Sequence, residues 1–331
     1  MKSIQARYSE RGPDPQKLIE AVEVELADPG PGEALIEVLA SPINPSDLLT
    51  LTGMYGVLPE LPATAGNEGV GRIVTVGENV ETLQPGQLVL LPLGCGTWAS
   101  HLVAAAADLV ALPEGADPQQ LAMLAINPPT AALLLSEIVD LKAGDWVIQN
   151  AANSAVGGYL VKLAAEQGIR TVNVVRREGA VAAVQAAGGD VVLVDGDDLP
   201  KRVRQATQGA GIRLAVDAVG GPATERLASC LGNGGVVVNY GVMSGQPCQV
   251  SPTHLIFRGI TLTGFWLATW YAGASAERRS ALYGDLTRRI ARGELAAKVA
   301  ETFDIRDVKQ AVAAAASGGR DGKVLITPRH G

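Results

Sequence analysis

The sequence predicts an α/β fold in two parts, a doubly wound parallel sheet with crossover helices joined to an antiparallel, barrel-like domain. Three observations predict it. At 331 residues the chain exceeds what one small core organises. Its first 120 residues read as short strands broken by turns. From about residue 121, short apolar runs alternate with Ala-rich helical segments, the pattern of a parallel sheet.

In the first part, EALIEVLA (33–40), GVGRIVTVG (69–77) and QLVLLPL (87–93) carry β-branched and Leu-rich strand patterns. Pro-Gly, Gly-Glu-Asn and Gln-Pro-Gly turns lie around them. In the second part, DWVIQN (145–150), TVNVV (171–175), DVVLV (190–194), RLAVDAV (213–219), GVVVNY (235–240) and ITLTG (260–264) are the expected strands. Helical spacing at 155–167 and 179–187 supplies crossovers. The runs are continuously apolar, which predicts burial on both faces. Six such strands make a complete dinucleotide-binding (Rossmann) sheet. After Phe265 the pattern breaks into helices near 276–293 and 306–316 and a last strand, KVLIT (323–327). The expected division is therefore 1–120, 121–267, and a 268–331 segment that returns to the first domain.

Composition narrows the function classes. Hydrophobic residues are 47% and charged residues 18%, which excludes a disordered chain. Net charge is −7 with no long basic run, so neither nucleic acid nor an acidic membrane is an expected partner. Cys95, Cys230 and Cys248 form neither a disulfide framework nor a CxxC metal motif. The amino terminus has no apolar signal core, and the most apolar stretches fall short of the ~20 residues that cross a bilayer. A cytoplasmic enzyme is the expectation.

The turn after the first strand of the parallel sheet reads Asn150-Ala-Ala-Asn-Ser-Ala-Val-Gly157. Against GxGxxG, the three positions are Ala152, Ser154 and Gly157, of which only the last is glycine. The demand is for small residues that let backbone amides and a helix amino terminus approach a pyrophosphate. Asn153, Ser154, Ala155 and Val156 are the candidate loop. A plain strand–turn–helix junction is the alternative. Arg176-Arg177 follows the second strand, 19 residues beyond Gly157. Asp or Glu there holds a ribose hydroxyl, whereas Arg takes the 2′-phosphate of NADP. NADPH is the expected cofactor, with a solvated basic turn as the alternative and Glu178 tempering the charge.

The run INPSDLLTLTGMYGVLPELPATAGNEGVGRIVTVGENV (43–80) resembles the 2-enoyl thioester reductases of the medium-chain dehydrogenase/reductase superfamily, whose first domain is GroES-like. So do AINPPTA (125–131), VIQNAANSAVGGYLVKLAAEQGIRTVNVVRRE (147–178), NYGVMSGQP (239–247) and HLIFRGITLTGFWLATW (254–270), spanning nearly the whole chain in order. The sequence departs from the zinc alcohol dehydrogenases. Asn44 stands two residues before Ser46-Asp47 where they carry a ligand Cys, and Asn67 stands before Glu68 where they carry His. Carboxamides are poor substitutes for thiolate and imidazole, so no metal is expected.

The resemblance implies a set of site residues. The family proton donor is a Tyr just before a Gly and a Leu-Pro segment, here Tyr55 in Gly53-Met-Tyr-Gly-Val-Leu-Pro59. A phenol is protonated at neutral pH and donates without tuning. Asn127 matches an Asn at the nicotinamide end, or is a turn residue before Pro128. Tyr240, Gly241, Val242 and Met243 follow the fifth strand, and Phe265, Trp266 and Leu267 the sixth, at carboxyl ends where such sheets bind ligands. Trp266 and Trp270 are alternatively interface aromatics of a homodimer formed through the sixth strand. Lys323 matches a Lys near the cofactor, or is solvated. His101, His254 and His330 fit no catalytic spacing. Asp47 and Asp217 read as structural anchors.

The leading expectation is NADPH-dependent reduction of a 2-enoyl thioester carried by coenzyme A or acyl carrier protein. A quinone oxidoreductase of the same superfamily is the enzymatic rival. A non-catalytic NADPH-binding sensor is the rival of another class.

Overall fold

The computed structural model describes residues 1–329, so His330 lies outside the described residues. The chain forms two units, Met1–Ile126 with Tyr283–Gly331, and Asn127–Leu282. These divisions fall later than the change in sequence texture at 120 and 267. Gln120 explains the first, since its side chain exchanges hydrogen bonds with Ala297 N and O at 2.9 and 3.0 Å. Ile126 N donates to Glu68 at 2.9 Å and Tyr283 Oη to the Ala125 carbonyl at 3.0 Å, both inside the first unit.

The first unit opens with β1 (Lys2–Tyr8), α1 (Pro15–Leu18), β2 (Glu20–Glu25), β3 (Glu33–Pro42) and α2 (Pro45–Thr52). It continues with β4 (Ala63–Thr64), β5 (Val70–Val76), β6 (Leu88–Leu90), β7 (His101–Ala105), β8 (Val110–Ala111) and α3 (Pro118–Leu121). The second unit runs α4 (Asn127–Ser136), β9 (Trp146–Gln149), α5 (Ala155–Glu166), β10 (Arg170–Val175), α6 (Val181–Ala186), β11 (Val191–Val194) and α7 (Leu199–Ala206). Then come β12 (Ile212–Asp217), α8 (Pro222–Cys230), β13 (Leu231–Asn239), α9 (Pro252–Arg258), β14 (Thr261–Gly264) and α10 (Leu267–Gly273). Helix α11 (Ala276–Ala291) carries the chain back to β15 (Val299–Phe303), α12 (Val308–Ala316) and β16 (Lys323–Ile326).

In the first unit a three-stranded sheet, β2-β1-β4, accompanies a seven-stranded one, β15-β16-β3-β5-β6-β8, with β7 also paired to β3. Pairing is antiparallel except between β15 and β16, which are parallel because α12 connects them as a crossover. Strand β16 pairs antiparallel with β3, so the returning tail completes the first unit. Its Ile305, Val308, Val312, Val324 and Ile326 share one core with Tyr8, Ile19, Ile43, Leu51 and Trp98. Each such side chain contributes roughly 1.5–3 kcal/mol on burial, which is what holds the tail.

In the second unit all six expected strands form, in the order β11-β10-β9-β12-β13-β14, every pairing parallel. The order reverses between β9 and β12, the switch point at which doubly wound sheets bind ligands. Burial on both faces holds for β9 but not for the edges. Strand β14 is exposed along its length and β11 is half-buried, because an edge strand has one neighbour and incomplete helix cover. Among the described residues no helix is long and apolar enough to cross a membrane.

Candidate active site

Tyr55 sits in the loop that leaves α2. The helix begins with a capping box, in which Asp47 Oδ2 accepts the Asn44 N–H at 2.7 Å. It ends at Gly53, whose φ of +82° is the left-handed C-cap conformation that a side chain resists. Met54 N and Tyr55 N both donate back to the Leu49 carbonyl, at 2.8 and 3.2 Å. The Tyr55 side chain is half-buried in an otherwise exposed loop.

Lys323 is not solvated. Its strand is continuously apolar apart from this residue, and its side chain is 7% exposed, bonded to Asn44 Oδ1 and, at 3.2 Å, to the Ile43 carbonyl. Asn44 Nδ2 donates to Glu68 Oε1 at 2.6 Å, and Asp47 Oδ1 accepts from Asn67 N at 3.0 Å. The positions that carry Cys and His in zinc dehydrogenases thus belong here to a buried cluster of one ammonium and two carboxylates. Burial pushes Glu68 up to about 7 and Asp47 up to about 6, while the Lys323 charge opposes both. Burial likewise pulls Lys323 down to about 8 against the pull of Glu68 and Asp47. Among the described residues no group of three or more His, Cys, Asp or Glu is arranged to hold a metal ion.

In the second unit, Ser154 caps α5, its Oγ accepting Gly157 N at 3.1 Å. A Cβ on Gly157 would lie 2.5 Å from the Ala152 carbonyl oxygen, so the single retained glycine of the motif is the one the loop cannot replace. The helix therefore starts tightly against the end of β9, with its free amides directed where an anion binds. Asn153 is exposed, Ser154 and Ala155 are half-buried, and Val156 packs inward. Arg176 and Arg177 are both exposed just beyond β10.

The carboxyl edge of this sheet is fixed by Asp217, which is an anchor as its sequence position suggests. Oδ1 accepts from Asn150 Nδ2 at 2.6 Å, Val219 N at 2.9 Å and Gly220 N at 3.1 Å. Oδ2 accepts from Thr224 Oγ1 at 2.7 Å and Asn239 Nδ2 at 3.2 Å. Asn239 also donates to the Gly241 carbonyl at 2.9 Å, and Gly241 lies where a Cβ would meet the Ala218 oxygen at 2.7 Å. The backbone of the segment after β13 is thus pressed onto the turn after β12. Val242 and Met243 stay exposed, as does Trp266 after β14, whereas Leu267 is buried and Phe265 half-buried. Phe265 N bonds to the Asn239 carbonyl at 2.9 Å.

One contact joins the two predicted segments of this unit. The Tyr240 phenol lies beside Ser154, and burial pushes the phenol above its ordinary range. The structure thus brings the 153–156 loop and the 240–243 segment together. Asn127 is the first residue of α4, buried rather than in a free turn. Tyr55 and Lys323 belong to the other unit. Sequence reasoning gave no role to Glu68, Asn150 or Asn239. The available signal was a polar residue closing an apolar strand run for Asn150 and Asn239, and an acidic residue just ahead of β5 for Glu68.

Residues 30–114 match the family described as alcohol dehydrogenase GroES-like domain, and 155–281 the one described as zinc-binding dehydrogenase. The chain is 36% identical over 327 residues to a Homo sapiens mitochondrial enoyl-[acyl-carrier-protein] reductase, covering 97% of this chain and 87% of that protein. A Caenorhabditis elegans protein of the same name is 38% identical over 289 residues, covering 85% and 83%. The chain belongs to the 2-enoyl thioester reductase branch of the medium-chain dehydrogenase/reductases. Among solved structures, the reductase resembles Etr1p in complex with NADP and crotonyl-CoA, with a TM-score of 0.89 at 27% identity over 99% of this chain and all of that one. It also resembles a Bacillus thuringiensis protein described as an NADPH:quinone reductase, with a TM-score of 0.90 at 28% identity over the same shares. The match to the zinc-binding description covers the cofactor unit of the reductase, not the positions of Asn44 and Asn67.

Proposed function

We propose that the chain reduces the carbon–carbon double bond of a 2-enoyl thioester with NADPH. The observation that carries this reading is coverage. Relatives named enoyl-[acyl-carrier-protein] reductase align over 97% of the chain, so the Tyr55 loop and the 153–156 loop both lie inside the match. The residues of the second unit fit the cofactor. Gly157 admits the close helix start that a pyrophosphate needs, and Arg176 and Arg177 offer two exposed guanidinium groups for a 2′-phosphate. When bound, NADPH supplies the hydride that goes to the β carbon.

Tyr55 gives the proton to the α carbon, the part a phenol hydroxyl plays as a general acid. Asn127, Tyr240, Val242, Met243, Phe265, Trp266 and Leu267 surround the nicotinamide end in this reading, and their apolar members exclude water. Lys323 acts through the buried cluster that holds Asn44 and the start of α2. Comparing crotonyl-CoA with a small quinone as acceptor, each with NADPH, tests the reading. Efficient NADPH oxidation with the thioester supports it, and turnover of the quinone alone moves the chain to the quinone oxidoreductase reading that the Bacillus thuringiensis likeness favours.

A homodimer through β14 belongs to the same proposal. That strand leaves a free backbone edge beside exposed Leu255, Ile256, Phe257 and Leu262, which a second copy would cover. Light scattering should give twice the chain mass, reduced to a monomer by Leu262→Pro, whose N–H faces the free edge because the Phe265 N–H, three residues on, faces β13. A monomeric wild type rejects the dimer.

A further inference from the structure

We propose that Arg11 is a positioning residue for Tyr55, acting by spanning the loop that carries it. This rests on the reading of Tyr55 as proton donor. The loop from Gly53 to Pro59 is otherwise exposed, with Met54, Val57 and Leu58 all facing outward, so little apolar burial fixes its path. Arg11 reaches both of its ends. The aliphatic stem lies over Gly53, where a Cβ would stand 3.4 Å from Arg11 Cδ and 3.5 Å from Arg11 Cβ. The guanidinium donates through Nη2 to the Pro59 carbonyl.

The other side of Arg11 faces the end of β1 and the last turn of α2. The phenol of Tyr8, 2% exposed at the end of β1 in the first-unit core, lies beside the guanidinium, whose charge works against the rise that burial gives the phenol. Gly12 N donates to the Leu51 carbonyl at 3.3 Å, which holds the Arg11 segment against the last turn of α2. The Arg11 Nε is buried with no hydrogen-bond partner among the described residues. A buried guanidinium nitrogen left unpaired is costly, so the side chain is kept there by what its other atoms hold. A planar guanidinium can lie against the Tyr8 ring and still donate to the Pro59 carbonyl from one rigid group, which an ammonium does less well.

Loss of this brace frees the loop and misplaces the phenol. A displacement of about 1 Å at a reacting group costs up to about 100-fold in rate. The test is a double-mutant cycle of Arg11→Ala and Tyr55→Phe, with NADPH and crotonyl-CoA and folding checked by circular dichroism. Arg11→Ala should lower kcat by about 10- to 100-fold with the NADPH KM unchanged, and should lower it no further once Tyr55→Phe is present. Arg11→Lys should recover part of kcat, and it carries the comparison if Arg11→Ala does not fold. Equal kcat losses from Arg11→Ala in both backgrounds, or an effect on KM alone, overturns the role of Arg11. If Tyr55→Phe itself matches the wild type, the donor reading fails, and the proposal fails with it.

Discussion

Lys323 and Glu68 are held in one buried chain by a single side chain, Asn44, which accepts from the ammonium and donates to the carboxylate at 2.6 Å. Glu68, raised from 4.5 to about 7, and Asp47, raised from 3.8 to about 6, both bind protons more tightly folded than unfolded. The stability they contribute is complete below about pH 4 and is lost as pH rises through 6 to 7. Lys323, lowered from 10.5 to about 8, has the opposite sign, and its contribution is lost as pH falls through about 8. Lys323→Met removes the charge that restrains both carboxyl groups. It should cost on the order of 3 kcal/mol at pH 7.5, where the carboxyl groups are mostly ionised and the ammonium is mostly still charged, and clearly less at pH 5.5. Urea unfolding at the two pH values measures this. Equal losses contradict the cluster's electrostatics.

Gly157 and its neighbour Gly158 should respond oppositely to alanine. A Cβ at Gly157 meets the Ala152 oxygen at 2.5 Å, whereas one at Gly158 meets nothing within 4 Å. Gly157→Ala should destabilise by about 1–3 kcal/mol and weaken NADPH binding. Gly158→Ala should stabilise by up to about 1 kcal/mol through helix propensity. Thermal melts with and without NADPH separate the two. Similar behaviour would show that the loop does not depend on the close approach at 157.

Arg176 and Arg177 should set the cofactor preference. Both are exposed at the end of β10, so their replacement leaves the core untouched. A charge-assisted bond contributes about 1.5–3 kcal/mol, so replacing either by Ala should raise the NADPH KM by about tenfold or more. The NADH KM should stay where it was. Comparable efficiency of the wild type with both cofactors would remove the arginines from the site.

Much of the fold was legible because its strands are continuous apolar runs, and all six of the parallel sheet lie where those runs lie. The exposure of β14 was visible only as its position last in the sheet. The parallel β15–β16 pair was not legible, since it depends on where a crossover helix docks. Site residues set by local motif, such as Ser154 and Gly157, were read from spacing. Lys323 was not, because its meaning comes from Glu68 and Asn44, more than 250 residues away in the chain. Arg11 left no local pattern at all, and only the path of the Gly53–Pro59 loop reveals its place.

The turnover of Tyr55→Phe with crotonyl-CoA tests the central claim most directly, with NADPH affinity measured alongside. The account predicts a fall in kcat of ~10²–10⁴, the range for a lost general acid, with NADPH binding retained. Turnover equal to the wild type would contradict it.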